Sequence, residues 1–201
     1  MRRQKHVRLL VDFINSDYYW AYDEMIYRLS PLLQTPQIDP RLIERLDFRP
    51  YLTINKGSRD GIKVNMNVIA DGGLVGIVSS VGDSYAVVRS IIDDTSNVSA
   101  TISSTQDNCI VSGSLEDMTA SNLIRYSNLA DSDDKVAIGD VVITSNISDK
   151  YLPGLLIGYV SSVDLDENDL SKSGTITPVV DFKHLSDVLI IKQLKESYTS
   201  E

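Results

Sequence analysis

The chain has 201 residues, of which 42% are hydrophobic and 23% are charged, and these values are close to those of globular proteins, which excludes bulk disorder. A net charge of -9 argues against binding to a nucleic-acid backbone. The sequence has no run of about 18 apolar residues that would cross a membrane. At ~100 to 200 residues per domain, the length allows one large domain or two small ones.

The first 50 residues differ in pattern from the rest of the chain. Four apolar residues lie at helical spacing: Val7, Leu10, Val11 and Ile14. They predict a helical segment at residues 1–15, either a short surface helix or the end of a coiled coil. An aromatic-rich stretch at residues 17–28 predicts a β-strand, although residues 24–26 would also suit a helix. A proline-rich excursion completes residues 16–50, and its Asp-Pro pair predicts a short helix at residues 41–48.

From residue 51 onward, the apolar residues alternate with polar ones. Short segments rich in Val, Ile and Thr are separated by turns of Gly, Asp, Asn and Ser. These predicted strands lie at residues 52–55, 67–70, 74–81, 86–92, 98–102, 108–112, 122–127, 140–144, 155–163, 174–180 and 188–192. Because little helix separates them, they predict an all-β, antiparallel fold.

One pattern occurs twice in this β region. Gly-Gly-Leu-Val-Gly-Ile-Val-Ser-Ser-Val at residues 72–81 returns as Gly-Leu-Leu-Ile-Gly-Tyr-Val-Ser-Ser-Val at residues 154–163, an offset of 82. Upstream, residues 64–70 match residues 138–144 at an offset of 74. The second copy therefore carries eight extra residues, around 146–153, which predict a longer hairpin loop.

The repeat predicts two related modules. We expect two small six-stranded-type antiparallel β-barrels, preceded by the short helical segment. The predicted modules are residues 51–115 and 116–195, with an exchange of strands between them allowed, and residues 196–201 form a tail.

A catalytic triad was sought because two-barrel β-proteins include serine proteases. Gly82, Asp83 and Ser84 have a superficial likeness to the segment around such a nucleophile, but a triad needs a histidine within reach. The two histidines are His6, in the leading helix, and His184, in a polar connection. The Gly-Asp-Ser segment is better explained as a hairpin turn, so we predict no catalytic residues.

Metal and cofactor sites are not indicated either. Two histidines and Cys109 do not fill a zinc shell, and Cys109 lies in an apolar β-like run where a buried small hydrophobe is expected. The acidic residues 164–169 resemble a calcium loop, but Asp169 and Thr175 stand where Gly and Glu are required. We predict no metal and no cofactor, and a function that resides in a protein-binding surface.

Several motifs in order resemble the MreC family of rod-shape-determining proteins. They lie at residues 53–62, 66–69, 73–78, 138–145, 152–160, 179–182 and 188–191, and the resemblance covers about residues 52–192. The positions expected to be structurally important in these motifs are Asn55, Gly57, Asp60, Gly61, Gly76, Gly139, Asp140, Gly154 and Gly158.

The resemblance implies a non-enzymatic scaffold. Members of this family are bitopic membrane proteins with one transmembrane helix, a dimerising coiled coil and a pair of β-barrels outside the membrane. The resemblance therefore implies an extracytoplasmic region whose membrane anchor is absent from this chain. It also implies a class B penicillin-binding transpeptidase as partner, action with MreD, RodA and MreB in lateral peptidoglycan synthesis, and self-association as a dimer or filament.

Two alternatives remain open at this point. One is a chymotrypsin-like β-barrel protein with protease-like activity, in which Ser84 would be reactive. The other is a generic protein-binding adaptor unrelated to the cell wall.

Overall fold

A computed structural model of the protein describes residues 50–130, 134–165, 171–185 and 187–195. The predicted helices at residues 1–15 and 41–48, the predicted strand at residues 17–28 and the predicted tail at residues 196–201 lie outside the described residues. Within the described ranges, the chain forms β-strands, one α-helix and one short 3-10 helix at Ser58–Asp60.

The β region contains eleven described strands. They are β1 Tyr51–Ile54, β2 Asn67–Ala70, β3 Gly73–Val81, β4 Ala86–Ser90, β5 Asn97–Ile102, β6 Asn108–Ser112, β7 Ile124–Leu129, β8 Val141–Thr144, β9 Leu156–Leu165, β10 Lys172–Pro178 and β11 Leu189–Ile191. Each corresponds to one predicted strand, and no end differs by more than two residues. The all-β prediction is confirmed, because alternation of apolar and polar residues follows the two-residue period of a strand.

The α-helix α1, at Leu115–Ser121, was not predicted. The side chain of Ser114 accepts a hydrogen bond from the main-chain N–H of Asp117 at 3.1 Å, and Asn122 ends the helix in the left-handed conformation. Met118, the buried residue of the helix, packs into the core. The sequence does carry this signal, since a serine before two acidic residues is typical of a helix N-terminus.

Six strands form a closed antiparallel barrel. Their order is β5-β6-β7-β10-β9-β8, and β8 pairs again with β5 to close the ring. Side chains that point into the barrel are fully buried, including Val98, Val111, Ile124, Val142 and Ile176. One closed six-stranded barrel is therefore confirmed.

The other strands form a five-stranded antiparallel sheet, in the order β11-β2-β3-β4-β1. This first sheet buries Leu52, Val68, Val78 and Val88. It meets the closed barrel where the start of β3 runs parallel to the start of β9, with Gly73 opposite Leu156.

The strand pairing crosses the predicted division between residues 115 and 116, where the prediction allowed an exchange of strands. Strands β5 and β6 precede that boundary but pair with β7 and β8 in the closed barrel. Strand β11 is the last in the chain, yet it pairs with β2 of the first sheet. The physical reason is that strand pairing depends on register and on burial between segments that are distant in sequence. Local turn residues do not specify these long-range pairings.

The repeat has matching pairing in the two halves. Val68 of β2 faces Gly76 of β3, and Val142 of β8 faces Gly158 of β9, which are equivalent positions of the two copies. A register shift follows each of these pairs. On their opposite edges, β3 pairs with β4 and β9 pairs with β10. Each of these pairings also has a register shift, at the first serine of the Val-Ser-Ser-Val segment. The repeat in sequence is thus a repeat of hairpin geometry, including its β-bulges.

Candidate protein-binding surface

The candidate residues for catalysis and metal binding lie on three different elements of the fold. Ser84 is exposed in the turn between β3 and β4. His184 is exposed and its Nδ1 lies 2.8 Å from Oδ2 of Asp181. Cys109 is buried in β6, and burial raises the pKa of its thiol to about 12. Within the described part of the chain, no three or more His, Cys, Asp or Glu side chains are grouped so that they could hold a metal ion.

The positions expected from the first motif form one turn after β1. Asn55 is exposed at its start. Gly57 packs on the β3–β4 turn, where an added Cβ would lie 2.5 Å from the carbonyl oxygen of Gly82. Asp60 accepts a hydrogen bond from the N–H of Gly57 at 3.1 Å and pairs with Lys56 at 3.1 Å, and these two contacts lower the pKa of its carboxyl group. Gly61 follows with φ of 81°.

Gly139 and Asp140 form the turn that leads into β8. The N–H of Gly139 donates to the carbonyl of Val160 at 2.8 Å, and a side-chain oxygen of Asp140 accepts from the N–H of Ala137 at 2.9 Å. In the first copy, Asn65 occupies the position of Gly139, and its N–H donates to Val78 at 2.9 Å. These two motif positions therefore serve a turn that both copies contain.

The remaining motif glycines lie in the repeated hairpins. Gly76 and Gly158 occupy equivalent positions in β3 and β9. Gly154 has φ of 80° at the end of the long β8–β9 connection, and its equivalent Gly72 has the same value. The hydrogen bonds described above for Gly57, Asp60, Gly139 and Asp140 are internal to the fold, so the candidate functional surface lies among the exposed side chains.

An apolar patch lies on the outside of the closed barrel, at strands β8 and β9. Val141 and Tyr159 face each other across the two strands. Ile138 belongs to the turn that leads into β8, one residue before Gly139, whose N–H binds the main chain of β9. The exposed fractions are 74% for Ile138, 36% for Val141 and 42% for Tyr159. We name these three residues the β8–β9 patch.

The equivalent positions in the first copy are Val64, Asn67 and Ile77. Asn67 and Ile77 are buried, and the side chain of Asn67 binds the main chain of the long β8–β9 connection. Val64 is 46% exposed, so the two copies differ at the strand positions, where Asn67 and Ile77 are covered and Val141 and Tyr159 are exposed to solvent. Exposed apolar patches of this kind are typical of protein-binding sites.

Sequence reasoning did not identify the β8–β9 patch. The available signal was the repeat itself, because Tyr159 aligns with Ile77 and Ile138 aligns with Val64. Whether such outward-facing residues are covered depends on neighbouring segments, and that information requires the structure.

No helix in the described residues combines the length and apolar character needed to span a membrane.

A sequence model described as rod shape-determining protein MreC, barrel core, matches residues 44–192. The cell shape-determining protein MreC of Listeria monocytogenes is 31% identical over 158 residues, covering 77% of this chain and 52% of that protein. MreC of Haemophilus influenzae is 25% identical and covers 72% of this chain and 40% of that protein. The chain thus spans about half the length of these relatives or less.

Solved structures show the same fold. MreC of Listeria monocytogenes superposes with a TM-score of 0.65 at 24% identity, covering 96% of this chain and 92% of that one. MreC in a complex between penicillin-binding protein (PBP2) and MreC from Helicobacter pylori has a TM-score of 0.53 at 15% identity, covering 72% and 88%. Because the family model covers most of the chain and the barrel is shared, this chain belongs to the MreC family of rod shape-determining proteins.

Proposed function

We propose that this chain is the extracytoplasmic part of a non-enzymatic scaffold that organises lateral peptidoglycan synthesis. In this proposal, the full-length protein is bitopic in the cell membrane and self-associates as a dimer or filament. It binds and activates a class B penicillin-binding transpeptidase and acts with MreD, RodA and MreB. Family membership over residues 44–192 supports the role in cell shape.

The β8–β9 patch is the observation that supports partner binding. Val141 and Tyr159 lie opposite each other on the sheet, and Ile138 is exposed in the turn that leads into β8. Aromatic side chains such as Tyr that become buried at the centre of an interface contribute much of the binding free energy in many complexes. The Helicobacter pylori complex contains MreC with a penicillin-binding protein, and we extend that class of partner to this chain as a proposal.

Binding of purified partners tests this proposal directly. The chain would be titrated with the extracytoplasmic part of the class B transpeptidase from the same organism, and Kd measured by calorimetry. We expect Tyr159→Ser to weaken binding about 10-fold or more, because an exposed aromatic anchor is lost. Tyr85→Ser is the matched control, since Tyr85 is 51% exposed in the β3–β4 turn, outside the β8–β9 patch.

Three outcomes separate the parts of the proposal. Binding that Tyr159→Ser weakens and Tyr85→Ser does not supports both the partner and the surface. Binding that both variants retain supports the partner and contradicts the surface. No binding by the unaltered chain contradicts the partner.

Depletion of the full-length protein in its host tests the role in morphogenesis. We expect cell width to increase and new wall insertion to become dispersed along the cell. Unchanged rods with normal insertion sites would contradict the scaffold role and favour the adaptor alternative.

A further inference from the structure

The connection between β8 and β9 is the main difference between the two copies of the repeat. In the first copy, Asp71 and Gly72 alone join β2 to β3, with φ of 51° and 80°. In the second copy, Ser145 and Gly154 occupy the equivalent positions, and eight further residues, 146–153, stand between them. Gly154 keeps the φ of 80° found at Gly72. Residues 146–153 are therefore an insertion into a hairpin whose ends are otherwise alike.

This insertion reaches the first sheet and binds it through Asn67 of β2. The side-chain NH2 of Asn67 donates to the carbonyl of Lys150 at 3.0 Å, and its side-chain oxygen accepts from the N–H of Leu152 at 2.7 Å. Asn67 is 1% exposed. A buried carboxamide that loses such partners leaves unsatisfied polar groups, so this contact is costly to break.

The insertion is also held from the barrel side. Thr144, the last residue of β8, donates its hydroxyl to the carbonyl of Leu152 at 2.6 Å and accepts from the N–H of Leu155 at 2.8 Å. The hydroxyl of Ser148 accepts hydrogen bonds from the N–H groups of Lys150 and Tyr151 at 3.2 Å and 3.0 Å. The segment that Asn67 binds is thus fixed to the barrel by its own hydrogen bonds.

Tyr151 adds an apolar anchor to these polar contacts. Its side chain is 4% exposed, which is unusual for a residue of a connecting loop. Burial raises the pKa of its hydroxyl. The insertion is therefore attached to β2 of the first sheet through Asn67, and the buried ring of Tyr151 anchors the insertion itself.

We propose that residues 146–153 are a strap that fixes the orientation of the first sheet relative to the closed barrel. Among the described strands, direct pairing between the two units is confined to Gly73 and Leu156, at the start of β3 and β9. Buried side chains of both units also belong to one hydrophobic core, and the strap adds to this packing a hydrogen-bonded attachment through Asn67. The two copies of the repeat then behave as one rigid body. This inference does not depend on the proposed partner.

The repeat supplies the variant that tests the strap. Deletion of residues 146–153 joins Ser145 directly to Gly154, which reproduces the two-residue turn of the first copy with its glycine already at the required φ. Asn67→Ala removes the contact to Lys150 and Leu152 without changing the loop. Asp149→Ala is the matched control, because Asp149 is an exposed strap residue.

Spin labels at Lys63→Cys and Ala120→Cys report the orientation, in a Cys109→Ala background of the whole chain. Both sites are exposed, one in the connection that leads into β2 of the first sheet and one on α1 beside the barrel. Double electron–electron resonance gives the distribution of distances between them. We expect a narrow distribution for the unaltered chain and for Asp149→Ala, and one about twofold broader or more for the deletion, as for domains joined by a small interface. Asn67→Ala should lie between them.

Circular dichroism and the Tm of each variant establish that it folds. A folded deletion variant with the native distance distribution would overturn the proposal. If the deletion variant does not fold, Asn67→Ala decides, and a native distribution in that variant would likewise overturn it.

Discussion

Gly76 and Gly158 meet the same obstacle in the two halves of the protein. A Cβ atom added to Gly76 would lie 2.1 Å from the carbonyl oxygen of Arg89, and one added to Gly158 would lie 2.1 Å from that of Thr177. Both obstacles are main-chain atoms of the next strand in the hairpin, β4 or β10. The glycines allow the two strands to approach closely beside their β-bulges.

Replacement of Gly158 by alanine should destabilise the barrel strongly. The new methyl group overlaps a carbonyl that side-chain rotation cannot move, so we expect Gly158→Ala to lower the free energy of unfolding by about 3 kcal/mol. Gly154→Ala is the comparison, because its Cβ would meet open space and only the positive φ is unfavourable, at about 1 kcal/mol. Urea denaturation measures both, and an equal loss in the two variants would contradict the steric explanation.

The cap of α1 should contribute measurably to stability. Ser114→Ala removes the acceptor for the N–H of Asp117, and we expect a loss of about 1 kcal/mol in the free energy of unfolding. Ser121→Ala, at the other end of the helix, changes a hydroxyl that donates to the carbonyl of Asp117 and should have a smaller effect. Thermal denaturation compares them. If Ser114→Ala has the same Tm as the unaltered chain, the cap does not contribute to stability and the prediction is wrong.

The stability contributed by Asp60 should depend on pH. Hydrogen bonds from the Gly57 N–H and from Lys56 lower the pKa of this carboxyl in the folded protein. A lowered folded pKa means that the contribution is complete above the unfolded value of about 3.9 and is lost as the pH falls through the folded pKa. Asp60→Asn should therefore be less stable than the unaltered chain at pH 7, and this difference should shrink in acid below the unfolded value.

Urea denaturation at pH 7 and in acid tests this expectation. Asp71→Asn serves as the control, because Asp71 is an exposed residue of the β2–β3 turn at a positive φ that asparagine also adopts. A difference between Asp60→Asn and the unaltered chain that is the same in acid as at pH 7 would contradict the role of the carboxylate.

Cys109 should be chemically inert while the protein is folded. Its side chain is buried in β6, and burial raises the pKa of the thiol to about 12, so the reactive thiolate is scarce at pH 8. We expect the thiol reagent DTNB to label the native chain slowly and the urea-unfolded chain rapidly. Rapid labelling of the native chain would show that β6 opens readily or that the thiol is accessible.

The strands beyond residue 51 were predictable because their information is local. Alternating Val, Ile and Thr residues between turn residues define each strand, as in Ala86–Ser90, where the side chains alternate between buried and partly buried. The hairpin turn at Asp71 and Gly72 was predictable for the same reason, since both residues adopt the positive φ that such a turn requires. The N-cap of α1 is also a local signal. This seven-residue helix, which lies between strands, was nevertheless not predicted.

The sequence by itself determined that this is an all-β protein with an internal repeat, because period-two alternation and the two Gly-containing strands of the repeat are properties of neighbouring residues. Only the tertiary structure decided which strands pair, and β11 joins β2 across more than a hundred residues of chain. It also decided that Asn67 is covered whereas Val141 and Tyr159 are exposed. Strand pairing and side-chain exposure depend on which distant segments pack against each other. A local sequence pattern does not specify those long-range contacts.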